Sequence, residues 1–125
     1  MRRQVILFGL LSLGLGTAMA AATQLHFDHV PVKDHGRQSP VAGRPDATAA
    51  GELLYRYHCA QCHQADARGD GEKKPSLRTE RVRSATDGDL EWFLRQGDLR
   101  HGMPSWSSLP QAQRWEIIAY LRSLR

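Results

Sequence analysis

The chain has 125 residues, a formal net charge of +4 at pH 7 and only two cysteines. This length suits one domain, and the charge is too small to indicate a nucleic-acid-binding protein. Two cysteines without a second paired-ligand cluster also argue against a structural zinc site. No strand pattern, internal repeat or low-complexity tract is visible, so the sequence predicts an all-α protein.

Residues 1–20 have the parts of a secretory signal peptide. Arg2 and Arg3 precede an apolar run over residues 5–15, and Ala18-Met19-Ala20 forms a small-x-small cleavage site. A retained membrane anchor is the alternative, but the run is shorter than the roughly 20 apolar residues that span a bilayer. We therefore predict export and cleavage, which removes two arginines and no acid and lowers the net charge from +4 to +2.

Residues 21–46 are predicted to form an extended N-terminal arm or linker. The segment contains three prolines and two glycines and shows no apolar period. Its histidines, His26, His29 and His35, are interpreted as solvated side chains, since nothing in their spacing gives them a common geometry for a metal.

A folded domain is predicted over residues 47–125, and its first helix runs from Ala47 to about Ala60. Gly51 lies inside this helix, where a glycine costs about 1 kcal/mol relative to alanine. Such a residue indicates the close approach of another helix. Tyr55 lies four residues later on the same face, so the two residues define a packing stripe.

The sequence Cys59-Ala60-Gln61-Cys62-His63 has the spacing of a c-type haem attachment site. On a helical turn the two thiols face the same way, so both can reach the vinyl groups along one edge of a porphyrin. His63 is then placed to supply an axial nitrogen to the iron. A disulfide, a zinc half-site and a thioredoxin-type pair are the alternatives. The first leaves the adjacent histidine unexplained, and the last requires a βαβ pattern.

A glycine-rich, charged loop over residues 66–74 follows the motif and ends at Pro75 and Leu77. Proline has no N–H but keeps its carbonyl, so Pro75 is our candidate acceptor for the second ring nitrogen of His63. Leu77 is a large apolar residue in polar surroundings and must have a surface to pack on.

Two further helices are predicted. One spans about residues 88–96, with Thr86 or Asp87 as its cap and Gly97 as its end. The other begins near Pro110, which suits a first-turn position, and is apolar around much of its circumference. A helix of the second kind is expected to be well buried.

Met103 is the one methionine outside residues 1–20 and is the candidate sixth ligand of the iron. It precedes Pro104 in a loop, where a core filler would be unusual. His101 is the rival ligand, while His58 is expected to point away from the iron. Trp106 is either a core aromatic or a donor to a haem propionate. Three arginines are alternative propionate partners, although solvated surface positions suit them better: Arg78, Arg81 and Arg83.

In order, these elements resemble the class I (mitochondrial-type) cytochrome c family, of the bacterial periplasmic monohaem kind, over residues 47–125. Gly51 and Tyr55 match the family's glycine–aromatic stripe, and Tyr120 matches its closing helix. The matched haem-site positions are Cys59, Cys62, His63, Pro75, Leu77 and Met103. The resemblance implies a small all-α fold of three to five helices around one covalently attached haem c.

The expected function is therefore periplasmic electron transfer rather than catalysis. His/Met ligation leaves no open coordination position, which favours electron transfer over oxygen or peroxide chemistry. The expected partners are redox proteins, a periplasmic dehydrogenase and a terminal oxidase or other acceptor, with no nucleic acid and no membrane span after cleavage. The rival function is a haem enzyme or gas sensor with a labile sixth position.

Overall fold

The structure is a computed structural model that describes residues 27–124. Within this range it contains six α-helices, one 3₁₀ turn at Leu99–His101 and no strand. The helices are α1 (Val32–His35), α2 (Pro45–His58), α3 (Ala60–His63), α4 (Glu80–Ser84), α5 (Asp87–Gln96) and α6 (Gln111–Ser123). The predicted all-α class is confirmed, with three long helices joined by short helical turns.

The first and last long helices, α2 and α6, cross in contact at Gly51. A Cβ atom at this position would lie 1.9 Å from the carbonyl oxygen of Glu116, so only glycine allows this approach. One turn along, Tyr55 is fully buried and its ring lies 5.2 Å from that of Tyr120. The packing stripe predicted for α2 is therefore present.

The long helices begin and end close to the predicted positions. Pro45 occupies the first turn of α2, a position that tolerates its missing N–H. Thr86 caps α5 in a capping box. Its side chain accepts a hydrogen bond from the backbone N–H of Asp89, and the Asp89 side chain accepts one from the backbone N–H of Thr86. Gly97 ends α5 with φ at 69°.

Two short helices were not predicted, α1 and α4. Each has four or five residues, too few to display a 3.6-residue apolar period. In α4 the signal is instead the cap, since the Thr79 side chain accepts a hydrogen bond from the backbone N–H of Val82.

Residues 27–44, within the predicted arm, contact α5. Asp34 is buried, and His35 forms a hydrogen bond with Asp89 rather than being only solvated. The predicted domain boundaries stay a prediction. Residues 1–20 and His26 lie outside the described residues. Among residues 27–124, no helix is both long and apolar enough to cross a membrane.

Candidate functional site: a haem cavity

The two cysteines are brought together by one helical turn at the end of α2. Backbone N–H groups of Cys62 and His63 both donate to the carbonyl of Cys59, at 3.1 and 2.9 Å. Both thiols are free and line one cavity, with Cys59 buried and Cys62 half-buried. Burial, together with the adjacent Cys62, raises the pKa of Cys59 to about 12. Cys59 is therefore a neutral thiol at neutral pH.

His63 lines the same cavity and its ring is held in one orientation. Its Nδ1 lies 2.9 Å from the carbonyl oxygen of Pro75, so the Nδ1–H donates to that oxygen, as predicted. This hydrogen bond leaves Nε2 as the nitrogen available to a metal. Burial is the main cause that lowers the pKa of His63, and the charge of Lys74 lowers it further. A neutral imidazole is the form that ligates iron.

The carbonyl of Pro75 is positioned by residues 64–77, the histidine loop. One carboxylate oxygen of Asp70 accepts the backbone N–H groups of Glu72, Lys73 and Lys74, at 2.8 to 3.0 Å. These bonds lower the pKa of Asp70. Gly69 has φ at 68°, and a Cβ there would lie 2.1 Å from the Lys74 carbonyl oxygen.

Leu77 has the packing partners that the sequence requires of it. Its backbone N–H donates to the Ala67 carbonyl at 2.8 Å, and its side chain packs against the cluster that contains Tyr55 and Tyr120. Leu77 and Pro75 both line the cavity. The histidine loop therefore supplies a wall as well as the hydrogen-bond acceptor for His63.

Met103 reaches the cavity from residues 97–106, the methionine loop. Its backbone pairs with that of Asp98 through two antiparallel hydrogen bonds of 2.8 and 2.9 Å, which close the 3₁₀ turn between them. Gly97 begins the loop, and a Cβ there would lie 2.6 Å from backbone atoms of Pro104 and Ser105. Met103 is half-buried and lines the cavity, where the sequence predicts a sixth ligand.

Trp106 ends the methionine loop and also lines the cavity. Its backbone N–H donates to the carbonyl of Leu94 at 2.8 Å, which ties the loop to α5. Its ring meets that of His58 edge-on, with centroids 5.0 Å apart. His58 thus lines the cavity, a placement that the sequence does not predict. The proposed contact of Trp106 with a propionate stays a prediction.

The rival ligand and the proposed propionate partners have other contacts. His101 lines the cavity but is exposed, and its Nδ1 lies 2.7 Å from a carboxylate oxygen of Asp98. The three arginines do not line the cavity and bond to neighbouring loops and helices: Arg78, Arg81 and Arg83. The lysines that do line it are Lys73 and Lys74, which the sequence analysis missed. The only feature of the sequence that could have indicated this placement is that the two lysines immediately precede Pro75.

The rest of the cavity wall is mainly apolar, although Gln61 and Asp98 also line it. Helices α4, α5 and α6 contribute six apolar side chains: Val82, Leu90, Phe93, Leu94, Ile117 and Leu121. Two thiols, one oriented imidazole and one thioether thus converge on a predominantly apolar cavity. This donor set fits a c-type haem, which Cys59 and Cys62 would attach and whose iron His63 and Met103 would ligate. The apolar walls suit a porphyrin face.

Comparisons with known proteins agree with this geometry. A family sequence model described as "Cytochrome C oxidase, cbb3-type, subunit III" matches residues 46–121. Among solved structures, cytochrome CL from the marine methylotrophic bacterium Methylophaga aminisulfidivorans is similar, with 27% sequence identity and a TM-score of 0.58. The match covers 69% of this chain and 58% of that one, so it spans little more than half of that protein. No curated protein matches the sequence.

Proposed function

We propose that this chain carries single electrons on one His/Met-ligated haem. The chain belongs to the c-type cytochrome family whose model is described as cbb3-type cytochrome c oxidase subunit III. It is a class I c-type cytochrome. The family and the structural neighbour both support a role as a c-type haem electron carrier. Electron transfer, rather than catalysis, is the function typical of these proteins. The observation that carries the proposal is the convergence of Cys59, Cys62, His63 and Met103 on one apolar cavity.

A bound haem supplies reversible one-electron exchange between ferric and ferrous iron. The protein's own residues serve to bind, orient and shield it. The two thiols would anchor the group covalently, and the Pro75 carbonyl holds the imidazole of His63 in place. The hydrogen bond to the carbonyl also makes the imidazole a more basic ligand. The apolar walls would exclude water from the porphyrin.

We further propose that the protein works in the periplasm after removal of residues 1–20, between a periplasmic dehydrogenase and a terminal oxidase or other acceptor. The family description names an oxidase subunit, which supports an oxidase as the electron acceptor. The predicted signal peptide supports export. N-terminal sequencing of the matured protein tests cleavage after Ala20, and co-purification from the native membrane fraction tests the oxidase.

Visible spectroscopy of oxidised and reduced protein, matured with a haem-attachment system, tests the ligand assignment. We expect covalently retained, low-spin haem and a weak methionine-to-iron band near the red end of the spectrum. Met103→Ala should abolish that band, whereas the matched variant His101→Ala should keep it. Absence of the band from the wild-type protein, together with loss of the low-spin spectrum in His101→Ala but not in Met103→Ala, would assign the ligand to His101. Carbon monoxide binding by the reduced wild-type protein at neutral pH would favour the enzyme or sensor function.

A further inference from the structure

One wall of the haem cavity comes from residues outside the matched family region. Phe27 is half-buried and lines the cavity, and its ring meets that of Phe93 edge-on with centroids 5.4 Å apart. Phe93 is a buried residue of α5 and lines the same cavity. Since the family match begins at residue 46, this wall is an addition to the common domain. We call residues 27–44 the N-terminal strap.

Buried ion pairs attach the strap to α5. Glu91 is fully buried, and its carboxylate accepts from Arg37 of the strap at 2.7 Å and from Arg114 at 2.9 Å. A second ion pair has the opposite arrangement of charges. The buried carboxylate of Asp34, in the strap, accepts a hydrogen bond from Arg95 of α5 at 2.9 Å. Separating the strap would remove the Arg37 partner from one oxygen of the Glu91 carboxylate and break the pair of Asp34 with Arg95, so these contacts hold the strap on α5.

The strap backbone also lies flush against the first turn of α5. A Cβ atom at Gly88 would come within 1.8 Å of the Asp34 carbonyl oxygen. Beside this contact, the Thr86 hydroxyl donates to the carbonyl of His35 at 2.8 Å. The His35 ring in turn lies 2.8 Å from the Asp89 carboxylate. These contacts fix the position of the strap on the same helix that carries Phe93.

We propose that the N-terminal strap is part of the haem site and that Phe27 shields one wall of the bound haem from water, which raises its reduction potential. The inference rests on the proposed function. Oxidation adds one positive charge to the iron porphyrin, and an apolar wall stabilises that charge less than water does. The Phe27 ring therefore favours the reduced state, provided that the contacts of Gly88 and Glu91 keep the strap in place.

Potentiometric titration of the mature holoprotein tests this role. Phe27→Ala should lower the reduction potential, and Phe27→Leu, which keeps an apolar side chain, should lower it less. Gly88→Ala should also lower it, because the added methyl group displaces the strap without touching the cavity lining. Val32→Ala is the matched control, since Val32 lies in the strap but is 88% exposed, and it should leave the potential unchanged.

The double variant Phe27→Ala/Gly88→Ala separates shielding from general destabilisation. If both changes act by removing the same wall, the double variant should have the potential of Gly88→Ala alone, although it unfolds more easily. Unchanged or raised potentials in Phe27→Ala and Gly88→Ala would overturn the inference, even if their thermal stability falls. A wild-type protein without covalently retained haem would overturn the proposed function and this inference together.

Discussion

The histidine loop and the methionine loop hold their ligands by different means. His63 belongs to a helical turn, is buried, and is bonded to a carbonyl positioned by Asp70 and Gly69. Met103 depends instead on the two backbone hydrogen bonds that it forms with Asp98, at 2.8 and 2.9 Å. A network of hydrogen bonds thus holds the imidazole of His63, whereas the position of the Met103 thioether depends mainly on the backbone conformation of its loop. We expect the methionine to be the more easily displaced ligand.

The largest effect is expected from Gly69→Ala in the histidine loop. The change places a methyl group against the Lys74 carbonyl at positive φ, and should cost about 3 kcal/mol of unfolding free energy. Moving Pro75 also weakens its hydrogen bond to His63, makes the imidazole less basic and so raises the reduction potential. Chemical denaturation and potentiometric titration measure the two effects.

Gly71→Ala is the control for Gly69→Ala. Gly71 has φ at 77°, but beyond its immediate neighbours in the chain no atom lies within 4 Å of the place that an added methyl group would take. This variant should cost about 1 kcal/mol from backbone strain alone and leave the potential unchanged. Equal effects of the two substitutions would show that the histidine loop does not position Pro75.

Gly97→Ala makes the corresponding change in the methionine loop. The added methyl group would lie 2.6 Å from backbone atoms of Pro104 and Ser105, a less severe overlap than the 2.1 Å at Gly69, and should cost about 2 kcal/mol. The methionine-to-iron band should weaken or disappear while the haem stays covalently bound. A Gly97→Ala variant that keeps the band at full strength would contradict the idea that the backbone conformation of the loop holds Met103.

Asp70→Asn tests the histidine loop through pH. The three backbone N–H groups lower the folded-state pKa of Asp70, so the stabilisation from its charge is complete above the unfolded pKa and is lost as the pH falls through the folded value. Thermal unfolding should show wild-type protein more stable than Asp70→Asn at pH 5 to 7, with the difference shrinking below about pH 4. A difference that is independent of pH would rule out the charge as its source.

The smallest effect is expected from Ser105→Ala in the methionine loop. Its exposed hydroxyl donates to the Arg95 carbonyl at 2.6 Å, so its loss should cost about 0.5 kcal/mol. The methionine-to-iron band should shift slightly and keep its strength, as visible spectroscopy can show. Loss of the band would mean that this one side chain, rather than the backbone pairing of Asp98 and Met103, holds the loop.

Features that depend on local spacing were predictable from the sequence. The motif from Cys59 to His63 forms one helical turn because its residues are neighbours in the chain. Gly51 signalled a helix crossing, since its cost within a helix requires a compensating contact, and the structure places Glu116 there. The acceptor at Pro75 was inferred from the preserved carbonyl of a proline.

Features built from distant residues were not predictable in the same way. Phe27 joins Phe93, and Arg37 joins the buried carboxylate of Glu91, across more than fifty residues of chain. No periodicity links such pairs, because their contact depends on how the N-terminal strap packs on α5 rather than on local backbone geometry. The sequence by itself determined the family, the all-α class and the expected haem chemistry. Only the tertiary structure decided which side chains enclose the cavity, because enclosure results from packing between helices that the chain order alone does not orient.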